Sequence, residues 1–85
     1  MIRANEAAVA FMTDADAIRD REQFVRNLGE LLSQTCDGVL GCDLLNAEQP
    51  GEYVLVTYKG GGTRMIGTYM DSYAAIVRDV ARRFQ

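Results

Sequence analysis

The apolar and polar positions after Glu52 change rhythm twice. Tyr53-Val54-Leu55-Val56-Thr57-Tyr58 is dense in β-branched and aromatic residues and predicts a strand. Gly60-Gly61-Gly62 breaks it, and Arg64-Met65-Ile66-Gly67-Thr68-Tyr69 resumes an extended pattern. Asp71-Ser72 then opens a helix whose apolar residues are Tyr73, Ile76, Val77, Val80, Ala81 and Phe84. Steps of three and one trace a single helical face.

The first half carries a second helical stripe. Ala17, Ile18, Phe24, Val25, Leu28, Leu31 and Leu32 recur among Arg19, Asp20, Arg21, Glu22, Gln23, Arg26, Asn27 and Glu30. Thr13-Asp14-Ala15-Asp16 reads as the start of this helix, because short oxygen-bearing side chains take up free amide hydrogens there. The helix is expected to end near Ser33–Cys36. Gly29 interrupts the stripe at a cost of roughly 1 kcal/mol relative to alanine. Its missing side chain predicts a close approach of the sheet or of the other helix. The first dozen residues fit either a short turn capped by Asn5 or an extended arm.

Between the helices, Gly38 to Asn46 predicts a first strand, with Leu40, Cys42 and Leu44 sharing a face. Pro50-Gly51 marks the turn into the second. Short connections favour an antiparallel meander. The expected fold is α+β: a two-layer sandwich with a three-stranded antiparallel sheet and both helices on one face, in the order α-β-β-β-α. It forms one domain over residues 1–85, with 1–12 as an N-terminal arm or short helix.

The composition is globular, with 48% hydrophobic and 25% charged residues. The longest early apolar run, Ala7-Ala8-Val9-Ala10-Phe11-Met12, is too short to span a bilayer and lacks the flanks of a secretory signal. No membrane partner is expected, and a soluble, cytoplasmic protein is. Net charge is −3 but uneven. Residues 1–58 hold ten acids and four bases, and residues 59–85 hold five bases and two acids.

Candidate chemistry is sparse. The chain has no histidine and two cysteines, Cys36 and Cys42, so neither a zinc site nor a disulfide framework is expected. Free buried thiols are the plain reading, and no metal or cofactor is implied. The glycine triplet leads from strand to strand with no following Gly-Lys-Ser/Thr, so it reads as a hairpin turn needing positive φ rather than a phosphate cradle. No nucleophile, base and orienting group occur together, which argues against an enzyme and leaves no small-molecule ligand evident. Asp43 is a charge in an apolar strand. It is either an outward edge residue that discourages pairing between molecules, or an acid paired with Arg64.

The helix-strand-strand-strand-helix order over Thr13 to Phe84 resembles the topology of double-stranded RNA-binding domains. That family opens its second helix with lysines that meet phosphate. Here the opening is Asp71-Ser72-Tyr73-Ala74, so nucleic acid is an unlikely partner. Size, charge and architecture also resemble small acidic proteins of phages and mobile elements that block nucleic-acid-binding enzymes.

The expectation is therefore a non-enzymatic protein-interaction module that self-associates, as a homodimer, through the uncovered sheet face. Neither face of the hairpin is cleanly polar, and Tyr53, Leu55, Met65 and Tyr69 are the expected surface. The N-terminal arm, with Val9, Phe11 and Met12, is the alternative cover for that face. One alternative function is a modulator of a nucleic-acid-binding partner, using Asp14, Asp16, Asp20 and Glu22 as a phosphate-like helix face. Another is weak direct nucleic-acid binding through Lys59, Arg64, Arg78, Arg82 and Arg83.

Overall fold

The computed structural model describes residues 2–84, with side chains from Ala15 to Phe84. Helix α1 spans Ile2–Thr35, strands β1, β2 and β3 span Val39–Leu45, Tyr53–Tyr58 and Thr63–Gly67, and helix α2 spans Tyr73–Ala81. A single 3₁₀ turn, Arg82–Phe84, closes the chain's described part. The order is α-β-β-β-α, and the sheet is an antiparallel meander in the order β1-β2-β3.

Helix α1 begins well before the expected start at Thr13. The segment from Arg3 to Met12 contains neither glycine nor proline and four of its residues are alanine, so nothing in it stops a helix from propagating. Thr13, Asp14 and Asp16 therefore lie inside the helix rather than at its start. At 34 residues the helix is about 51 Å long by its rise per residue, which matches the molecule's 53 Å long axis. Past its end, Gly38 takes φ 89°, a left-handed conformation that glycine adopts without strain.

Strand β1 contains an irregularity that alternation alone does not reveal. Val39 pairs with Tyr58, but Gly41 pairs with Thr57, so Leu40 is an extra residue in a β-bulge. The bulge turns Leu40 outward, to 61% exposure, while Val39, Cys42 and Leu44 stay buried. The expectation that Leu40 shares a face with Cys42 and Leu44 is thereby corrected. Strand β2 has the expected limits. Strand β3 stops at Gly67, because Met70 adopts φ 64° and Asp71 N–H closes a turn onto the Thr68 carbonyl at 2.9 Å.

The register places Leu44, Val54 and Ile66 side by side, with Cys42 and Val56 in the next row. These residues meet Val25 of α1 and Ile76 and Val80 of α2, so both helices cover the same face. Helix α1 lies along β1, where Gly29 does what its position in the stripe implies. A Cβ built on it would sit 2.3 Å from the Cys42 backbone nitrogen. Helix α2 is capped by Ser72, whose hydroxyl accepts from Ala75 N–H at 3.1 Å. Phe24 and Tyr73 stack across the two helices with ring centroids 4.5 Å apart.

Candidate interaction surface

Among the described residues, no helix packs on the other face of the sheet. Its rows, read from the register, are Gly41, Thr57 and Thr63; then Asp43, Leu55 and Met65; then Leu45, Tyr53 and Gly67. The bulged Leu40 adds to its edge. Met65 is 62% exposed, and Tyr53 and Leu55 are half-buried. Three of the four expected surface residues, Tyr53, Leu55 and Met65, thus lie together on this face. Tyr69 lies outside the strand, in the turn after β3, with 44% exposure.

Asp43 is exposed, opposite Leu55, on edge strand β1. Arg64 is opposite Val56, on the helix-covered side of the other edge strand. The two occupy opposite faces and opposite edges, so the expected alternative of an Asp43–Arg64 pair does not occur. The side chains of Val9, Phe11 and Met12 lie outside the described residues.

The four acids proposed for the helix face are not gathered into one patch. Asp16 pairs with Arg19 one turn on, and Asp20 is exposed beside it. Glu22 is two residues further, roughly 200° round the helix from Asp20, and half-buried. The Asp14 side chain lies outside the described residues. Of the five bases, Arg82 and Arg83 line one cleft with Ile66, Gly67 and Asp79, and Arg78 holds Asp79 at 3.1 Å.

The most elaborate polar arrangement was not anticipated from sequence. Arg21 and Glu52 are both buried and form a bidentate pair, Nε to Oε1 and Nη2 to Oε2, each 2.7 Å. Arg21 also donates to the carbonyls of Asp71 at 2.7 Å and Thr68 at 2.9 Å. Glu52 accepts from Thr68 Oγ1 at 2.8 Å and from Glu48 N–H at 2.9 Å. Burial alone would raise the Glu52 pKa, but the bonds from Arg21, Glu48 and Thr68 outweigh it and hold the carboxyl below its ordinary value. Arg21 is held above its ordinary value by the bond to Glu52, against the effect of burial. The signal was present: Ile18, Arg21, Val25, Leu28 and Leu32 share the spacing of the core stripe, so Arg21 occupies a core position. Every group in the network points inward and is satisfied, which makes it a clamp between α1, the β1–β2 turn and the β3–α2 loop.

Near this clamp, Asp71 Oδ2 is buried without a hydrogen-bond donor. The Asp79 carboxyl, together with burial, raises the Asp71 pKa and is itself lowered in return. A proton shared between the two carboxyls would satisfy the orphaned oxygen. Both cysteines are free. Cys42 is buried in the core, and burial pushes its thiol up to about 11. Among the described residues, no cluster of three or more Cys, Asp and Glu side chains has metal-binding geometry, and no described helix is long and apolar enough to cross a membrane.

No family model matches the chain, and neither the curated proteins nor the solved structures provide a match.

Proposed function

We propose that this chain is a non-enzymatic, cytoplasmic interaction module that pairs with a second copy of itself through the uncovered sheet face. The observation that carries the reading is the row Leu55–Met65 flanked by Leu40, Leu45 and Tyr53 on the side of the sheet away from both helices. Apolar patches of this kind on small domains are commonly interfaces. Two free thiols fit a reducing compartment. The buried Arg21–Glu52 pair is spent on holding the fold together, which fits a binding rather than a catalytic role.

The size of the face sets the expected strength. Three strands about 4.8 Å apart and three rows of side chains cover roughly 15 by 20 Å, or about 300 Å². A standard stable interface takes about 800 Å² from each partner, so the pairing is weak and concentration-dependent. Light scattering behind a sizing column, over a wide concentration range, should give a mass rising from 9.4 kDa towards twice that value. Leu55→Glu with Met65→Glu should keep the helical circular dichroism and hold the protein at the monomer mass. An unchanged mass profile in that variant refutes the reading.

A further inference from the structure

The two edges of the sheet are not equivalent. The β1 edge carries the bulge at Leu40 and the charge of Asp43, both of which discourage a further strand from pairing there. Strand β3 has neither bulge nor proline, and its register with β2 is unbroken from Thr63 to Gly67.

The hydrogen bonds at the two ends of β3 fix which way its backbone points. Thr68 N–H bonds to the Glu52 carbonyl at 3.3 Å, and Tyr58 N–H bonds to the Gly62 carbonyl at 2.8 Å. In an antiparallel pair, bonded and non-bonded positions alternate. The even-numbered residues of β3 therefore bond to β2. Thr63, Met65 and Gly67 direct their N–H and C=O groups away from it, to the free edge.

A cleft of about 390 Å³ lies beside that edge, lined by Ile66, Gly67, Asp79, Arg82 and Arg83. Its wall is the end of α2 and the 3₁₀ turn. Gly67 leaves the backbone open, since a Cβ built there meets nothing within 4 Å. The one carboxylate in the cleft already has Arg78 as partner at 3.1 Å. Arg82 and Arg83 are exposed, as is Arg64 on the same side of β3. The groove thus combines unpaired strand backbone with a surplus of guanidinium groups.

We propose that the free edge of β3 accepts an extended acidic peptide segment as a fourth strand. The peptide backbone pairs with Thr63, Met65 and Gly67, and its carboxylates meet Arg82 and Arg83. This site is an edge, whereas the self-association surface is a face, so each stands or falls separately.

The probe is a fluorescein-labelled peptide of alternating valine and glutamate, with an alternating valine and lysine peptide as control. Fluorescence anisotropy at low ionic strength should show saturable binding of the glutamate peptide and at least tenfold weaker binding of the lysine peptide. Amide NMR of the wild-type protein should show the largest changes at Thr63, Met65 and Gly67. Arg82→Glu with Arg83→Glu should weaken binding at least tenfold. Met65→Pro should abolish it, because it removes an outward N–H while leaving the β2–β3 bonds in place. Absence of saturation at millimolar peptide, equal binding of both peptides, or amide changes centred elsewhere overturns the proposal. If Met65→Pro fails to fold, the wild-type amide map decides. Protection of the same amides on concentrating the protein without peptide would assign the edge to a second copy and also overturn it.

Discussion

Replacing Gly29 with alanine sets two physical effects against each other. Helix propensity favours alanine by roughly 1 kcal/mol at an interior position. The structure opposes it. The new methyl would lie 2.3 Å from Cys42 N, 3.0 Å from Cys42 Cβ and 3.1 Å from Cys42 Cα. The nearest of these is strand backbone rather than the end of a flexible side chain, so no side-chain rotation relieves the contact. Restoring a normal separation requires α1 to retreat from β1 by about 1 Å, which loosens the packing of Val25 and Leu28 as well. Overpacking of this kind typically costs about 1–3 kcal/mol, and a rigid backbone partner places this site at the upper end. The net expectation is a loss of about 2 kcal/mol, or roughly 8–16 °C in Tm for a domain of this size. Urea unfolding followed by helical circular dichroism measures it, with Glu30→Ala as an exposed neighbour that should change little. A Gly29→Ala protein that is as stable as wild type, or more so, refutes the close approach of α1 to β1 and leaves propensity in control.

Four further outcomes follow from the buried polar groups and the thiols. Arg21→Met strands the Glu52 carboxylate in the core and should cost about 3–5 kcal/mol in the same urea assay. Because the Glu52 pKa is lowered in the folded protein, its contribution is complete above the ordinary glutamate value and is lost as pH falls through the depressed one. Acid unfolding of the wild-type protein should therefore steepen below about pH 4, and that slope should flatten in Glu52→Gln. Asp71 has the opposite sign: its raised pKa means the folded state holds its proton more tightly, so stability contributed there is present at low pH and lost as pH rises. Asp71→Asn should thus be more stable than wild type at pH 7, with the advantage shrinking at pH 4; a destabilised variant at pH 7 would count against the carboxyl pair. Ellman's reagent should leave Cys42 unmodified in the native protein and titrate it only on unfolding, and a fast second thiol would contradict its burial.

Periodicity alone determined the element types and their order. The 3.6-residue stripes of α1 and α2 and the β-branched run of β2 identify helices and strands, because each face must bury its apolar residues against another layer. Gly29 was legible for the same reason: a glycine in a core stripe gives up propensity, and close packing is the usual return. Three features needed the tertiary structure. The bulge at Leu40 reverses the facing of one residue in β1, and it depends on how β1 meets β2 rather than on β1 itself. The true start of α1 lay beyond local signals, since Thr13-Asp14 favours a helix start but is tolerated inside a helix when the preceding residues also favour helix. The Arg21–Glu52 clamp joins residues 31 positions apart, and a charged residue on an apolar stripe announces burial without naming its partner. The candidate surfaces divide in the same way. Tyr53, Leu55 and Met65 could be grouped by strand alternation, which acts between neighbours in sequence. The groove at the β3 edge could not, because Arg82 and Arg83 reach Ile66 and Gly67 only once α2 has folded back along the sheet.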